Sequence, residues 1–120
     1  MPKARAWMRW VTLLAFAVVF SLPALAGTPE IGGTAKVAGS SWVGCKNREE
    51  LEKLSEYAHQ HDEVAFKKLL ARDLANGECR YMKNGETVYI TDVSILGYTK
   101  VRPRGEIDEY WVLTQALEPQ

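Results

Sequence analysis

Cys79-Arg80-Tyr81-Met82-Lys83-Asn84-Gly85-Glu86-Thr87-Val88-Tyr89-Ile90 is the stretch that decides the fold. Asn-Gly is the dipeptide that most readily supplies the positive-φ positions of a two-residue hairpin turn. A turn centred on Asn84-Gly85 pairs Lys83 with Glu86, Met82 with Thr87, Tyr81 with Val88, Arg80 with Tyr89 and Cys79 with Ile90. Successive side chains on a strand point to opposite faces. This register therefore gathers Cys79, Tyr81, Val88 and Ile90 on one apolar face, expected to meet the core, and leaves Arg80, Met82, Thr87 and Tyr89 on the other.

Downstream of this hairpin, a third strand is expected from Tyr98 to Arg102, ending at Pro103. A turn at Arg104-Gly105 leads to a fourth strand over Glu109–Thr114, and the tail 115–120 reads as a short helical turn. Upstream, the apolar period changes from two to that of a helix. Asn47 followed by Glu50 fits a capping box. Leu51, Leu54 and Ala58 then share one face, and Glu49 and Lys53 form an i, i+4 pair, predicting a helix over 48–59. Asp62 is a favourable cap for a second helix over 63–75, striped by Phe66, Leu69, Leu70 and Leu74 and stopped by Asn76-Gly77. The short joint at His59–Asp62 makes the two an antiparallel hairpin. Residues 27–40, rich in glycine, read as a flexible start, with a first strand within Thr34–Val43. Helices grouped before strands give an α+β class.

The chain has 120 residues, 47% of them hydrophobic and 25% charged, which suits one small domain. Lys3, Arg5 and Arg9 precede the apolar run Val11–Leu22, followed by Pro23 and Ala24-Leu25-Ala26. A basic start, an apolar run and an A-x-A end are the parts of a secretory signal peptide, cleaved after Ala26. The run is short for a segment that must cross roughly 30 Å of hydrocarbon, so no stable membrane insertion is expected after cleavage. Formal net charge is +0, and loss of the three early cations leaves the mature chain at −3. Neither value favours a nucleic-acid partner.

Cys45 and Cys79 are the only cysteines, 34 positions apart. In an exported chain such a pair reads as one structural disulfide. There is no C-x-x-C to favour a redox role. The localisation implied is periplasmic or secreted.

Gly77-Glu78-Cys79, Gly85-Glu86-Thr87-Val88-Tyr89-Ile90, Lys100-Val101-Arg102 with Gly105, and Tyr110-Trp111-Val112 together resemble a bacterial SH3-like domain. The resemblance implies a small, strongly bent antiparallel barrel over 41–120. It implies a first strand before Trp42-Val43-Gly44-Cys45, with the helices forming an insert at 47–77. It also implies a module that binds peptides, peptidoglycan or partner proteins.

Several residue clusters invite chemistry. His59-Gln60-His61-Asp62 offers two imidazoles and a carboxylate, but i, i+2 positions on a helix point apart and no further ligands lie nearby in sequence. The cluster is expected to be a polar interhelical turn, with no metal. Asp108-Glu109 and Glu49-Glu50 are neighbours that diverge, not catalytic dyads. No nucleophile elbow, zinc-protease or phosphate-loop motif is present, and no catalytic residue or cofactor is implied. Tyr98, Lys100, Arg102 and Arg104 alternate and would share a strand face suited to carboxylates. That face is expected to be a solvated one, compensated by Glu106, Asp108 and Glu109, and the preferred binding surface is a shallow groove of solvent-facing aromatics. The candidate binding residues are Tyr89, Tyr98, Lys100, Arg102, Tyr110 and Trp111. The expected function is an exported, non-catalytic binding module of the bacterial envelope. The alternatives are an inhibitor or immunity-type protein of a secreted enzyme, and a small hydrolase using His59, His61 or Asp62.

Overall fold

A computed structural model describes residues 29–119; the signal segment expected at 1–26 lies outside them. The two helices form where their caps and periodicity place them, α1 at Arg48–His59 and α2 at Glu63–Ala75. Asn47 starts α1 by accepting the Glu49 N–H at 3.0 Å. The returning arm of the capping box comes from outside the helix. Glu78, not Glu50, accepts the Asn47 N–H, at 2.7 Å. Asp62 caps α2 through the Ala65 N–H at 3.0 Å. The exposed helix faces carry Arg48–Glu52 and Glu63–Lys67 ion pairs, whereas the expected Glu49–Lys53 pair is not formed.

Seven strands make one antiparallel sheet: β1 (Thr34–Val37), β2 (Val43–Cys45), β3 (Cys79–Tyr81), β4 (Thr87–Ser94), β5 (Tyr98–Pro103), β6 (Tyr110–Leu113) and β7 (Leu117–Pro119). Their spatial order is β3-β2-β6-β5-β4-β1-β7. The fold is α+β, and the sheet is open, since the edge strands β3 and β7 do not pair with each other. The single strand expected within Thr34–Val43 resolves into β1 and β2. The first of these lies inside the segment expected to be flexible and is paired on both sides. The helical turn expected at the C-terminus is a 3-10 turn at Thr114–Ala116, which hands the chain to β7.

The hairpin read from Asn84-Gly85 is not formed. The turn itself is real: Glu86 N–H donates to Lys83 O at 3.1 Å, and Gly85 takes φ 84°. Its flanks diverge, however. Residue by residue, β3 pairs with β2, Cys79 opposite Cys45 and Tyr81 opposite Val43, while β4 pairs with β1 and β5. The groups that would have closed the hairpin are committed elsewhere. Lys83 N–H donates to the Glu86 side chain at 2.8 Å, and Glu86 O accepts from Val37 N–H at 3.0 Å, while Gly85 N–H donates to Val37 O at 2.7 Å. The expected faces shift accordingly. Tyr81 is 49% exposed, and Met82 takes the core position instead.

This connection also bends the sheet. In a flat sheet β3 and β4 would lie four strand spacings apart, roughly 19 Å at about 4.8 Å each. Only residues 82–86 join them, and part of that length is spent in a turn. A chain of n residues spans at most about 3.5 Å × n, so the sheet must curl. Inside the curl lies one apolar cluster of Ala35, Val37, Met82, Val88, Ile90, Val101, Val112 and Leu117, drawn from five strands and the β3–β4 connection. The opposite, outer face of β2 and β6 carries a second cluster. There the Cys45–Cys79 disulfide, Leu51, Leu54 and Leu69 are packed by Phe66, Tyr57, Tyr98 and Trp111. The helical hairpin therefore sits outside the sheet. Among the described residues no helix is long and apolar enough to cross a membrane.

The sheet's closest approach is at Gly44. A Cβ there would lie 2.8 Å from Met82 Sδ, 3.1 Å from Tyr110 Cβ and 3.2 Å from Val112 Cγ1. Two of these atoms belong to short, fixed parts of their side chains. Gly44→Ala is expected to cost about 1–3 kcal/mol through overpacking, read as a lower denaturant midpoint with an unchanged slope. Reducing the disulfide is expected to cost about 2–4 kcal/mol, seen as a lower melting temperature in the presence of a phosphine reductant. An unchanged melting temperature would mean that the bridge does not constrain the chain.

Candidate functional site

Alternation along β5 places Tyr98, Lys100 and Arg102 on the outer face and buries Thr99, Val101 and Pro103. Arg104 lies beyond the strand, exposed in the following turn. On β6 the phase is set by the inner core. Val112 is buried there with Tyr110, so Trp111 and Leu113 face outward. Tyr110 is 6% exposed on the face opposite Trp111. It is therefore removed from the candidate binding surface; its Cβ lies over Gly44, 3.1 Å from where a side chain there would begin. Tyr89, Tyr98, Lys100, Arg102 and Trp111 remain together on the outer face, all half-buried.

Register turns these residues into a ladder. Asp92 lies opposite Lys100, Lys100 opposite Trp111, and Trp111 opposite Cys45, one row across four strands. Directly opposed cross-strand pairs bring their side chains into contact. The Lys100 ammonium lies 5.9 Å from the Trp111 ring centroid. The Arg48 guanidinium, from the first turn of α1, lies 5.5 Å from the same centroid. In the adjacent row Arg102 sits opposite Tyr89 and lies 4.9 Å from its ring. Such cation–aromatic contacts contribute about 0.5–1 kcal/mol each at exposed sites. Arg48 has no signal in the strand sequence, since it reaches Trp111 only through docking of the helical hairpin.

Each cation also has an internal oxygen partner. Lys100 pairs with Glu109 at 3.4 Å, Arg48 with Glu52 at 3.1 Å, and Lys46 with Asp108 at 3.9 Å. Arg102 donates to the Glu106 carbonyl at 2.9 Å. A bulge between Ile90 and Asp92 turns Thr91 so that its hydroxyl comes within 3.4 Å of Glu109 Oε1 and 3.3 Å of the Lys100 carbonyl. Half-exposed ion pairs are worth only about 0–1 kcal/mol. An incoming carboxylate could replace Glu52 or Glu109 at little cost. Beside Trp111 an open depression of about 610 Å³ is lined by Lys46, Asn47, Arg48, Glu49 and Glu78. The arrangement can hold a ligand that offers both a flat or apolar surface and an anionic group.

A second concavity runs beside α1. A hollow of about 220 Å³ is walled by Trp42, Val43, Leu51, Leu54, Phe66 and Leu113. His59 and His61 are both exposed, and they border different hollows. His59 lies with Leu96 and Tyr98, and His61 with Tyr57 and Phe66. They do not converge on one atom. Among the described residues no group of three His, Cys, Asp or Glu side chains is placed to hold a metal ion.

No family model matches the chain, and neither curated proteins nor solved structures give a match.

Lys100→Ala removes both the Trp111 contact and the Glu109 pair. It is expected to lower stability by no more than about 1 kcal/mol, with a red-shifted Trp111 emission in residues 27–120 carrying Trp42→Phe, which leaves Trp111 as the one tryptophan. An unchanged emission would show that Lys100 does not cover the ring.

Proposed function

We propose that this chain is a non-catalytic binding module of the bacterial envelope, exported and SH3-like. Its ligand, a protein, peptide or peptidoglycan, engages the outer face around Trp111. The observation that carries this reading is the single row of Lys100 and Trp111 with Arg48 laid over it, bordering an open depression. Aromatic and cationic groups that are only half buried are the side chains that anchor ligands on shallow surfaces. Peptides and peptidoglycan carry carboxylates beside apolar or ring surfaces, which matches the pairing of charges and ring. The disulfide is consistent with an oxidising compartment and so supports export. A small, strongly bent antiparallel sheet around one apolar cluster supports the SH3-like reading, although the sheet stays open. On this reading the helices are an insert, joined to the sheet through β2 and β3.

A second reading, an inhibitor of a secreted enzyme, draws on a different observation. The β4–β5 turn projects Ile95, 100% exposed, and Leu96, 66% exposed. Bulky aliphatic side chains on a tight turn suit insertion into another protein's cleft.

Purified peptidoglycan and envelope extract should retain the mature chain saturably. The double variant Lys100→Glu/Arg102→Glu should lower the affinity at least tenfold without unfolding the protein. Retention by a single enzyme in one-to-one ratio, lost on Ile95→Asp but not on the double charge reversal, would favour the inhibitor reading instead. No retention by any envelope component would overturn both.

A further inference from the structure

We propose that Glu50 and Asp73 hold one proton between them, and that this proton latches the first turn of α1 to the last turn of α2. Asp73 stands where the α2 stripe calls for an apolar residue, and it is only 1% exposed. Its Oδ1 accepts from Arg72 Nε at 3.2 Å, but Oδ2 is buried with no hydrogen-bond partner in the protein. A buried carboxylate oxygen without a donor is costly, so a donor is to be sought among its neighbours. Glu50 is that neighbour. Its side chain is 24% exposed, and its Oε2 accepts from the same guanidinium, Arg72 Nη2, at 3.2 Å. Arg72 thus bridges both carboxyl groups. One cation cannot neutralise two carboxylates, whereas one cation and one proton can.

Among the described residues no second cation pairs directly with either carboxyl. Lys53, on α1, is the only other cation acting on Glu50, and it opposes protonation. The β2 and β6 segments, which pack against α1, contain no Asp, Glu, Lys, Arg or His. Arg80 of β3, which packs against α2, is committed to Glu86 and Glu106. The hydrogen bond to Asp73, then burial, then the Asp73 charge, hold the Glu50 carboxyl above its ordinary value, against Arg72 and Lys53. The sign follows from linkage. A carboxyl whose folded value is raised contributes stability that is fully present below its unfolded value. That contribution is lost as pH rises through the folded value. The latch therefore tightens the helical hairpin on the acid side and releases it toward neutral pH. It stands independently of what the outer face binds.

Carboxyl carbon NMR of the mature chain across a pH series tests this directly. A Glu50 resonance is expected to titrate above the usual glutamate value of about 4.3, and to return to it in Asp73→Asn. Thermal unfolding gives a second readout. Glu50→Gln supplies a permanent amide donor to Asp73. The wild type should match this variant on the acid side and melt progressively below it as pH rises. Glu50 titrating at or below its ordinary value would overturn the latch, and so would parallel melting profiles for the wild type and Glu50→Gln. Should Asp73→Asn fail to fold, the wild-type titration and the Glu50→Gln comparison decide the matter without it.

Discussion

The Cys45–Cys79 bridge links directly opposed residues of β2 and β3, and the placement of the helices depends on it. A three-residue ribbon is too short to stand alone, and a two-stranded hairpin is marginal in water at any ordinary length. The covalent link fixes β2 and β3 together and brings Glu78 to the cap of α1. Both ends of the helical hairpin then leave from one point on the sheet. Buried half-cystines form the floor on which Leu51, Leu54 and Leu69 pack. In a domain with two small cores instead of one large one, such a constraint replaces cohesion that burial alone cannot supply.

A second polar fastening holds the other side of the same ribbon. Arg80, opposite Gly44, sends its guanidinium to Glu86 at 3.1 Å and Glu106 at 3.4 Å, and lies 5.3 Å from the Tyr110 ring. Glu86 also accepts the Lys83 N–H at 2.8 Å. One side chain thus ties β3 to the entry of β4 and to the β5–β6 connection. These are the places where the chain turns from the outer ribbon into the curled sheet. Charge-assisted bonds of this kind are stronger than neutral ones and hold the corner beside the buried Met82 and Tyr110.

What could be read beforehand follows from the range of each signal. Asn47, Asp62, Gly77 and the spacing of Leu51, Leu54 and Leu69 are local, and the helices appear where they point. Asn84-Gly85 is equally local and does make a turn, but a turn does not choose its partners. Those were set by Cys45, some forty residues earlier, and by Val37, which takes the Gly85 N–H. The short strands β1 and β7, of four and three residues, carry too few alternations to declare themselves. Within β6, alternation separates Tyr110 from Trp111 but cannot say which faces inward. Gly44 decides that from another strand. The candidate surface shows the same division. Tyr98, Lys100 and Arg102 could be grouped from their spacing, whereas Arg48 could not, because a helix docked from afar delivers it to Trp111.

The outer face is therefore shared between two demands. Trp111 and Tyr98 are packed by the helical core on one side; Lys100 bounds Trp111 on the other, and Arg102 covers the neighbouring Tyr89. A surface built this way is rigid at its aromatic centre and adjustable at its charged rim. The rings are held by packing, while each ion pair can be exchanged at a cost of about 1 kcal/mol or less. Changes at the rim should spare the fold, and changes at the centre should disturb it. The helical hairpin supplies Arg48 as well as much of the packing. Any event that loosens α1 would consequently open the ring face and remove one of its cations together. The half-buried aromatic face and the helical hairpin are, in physical terms, one unit.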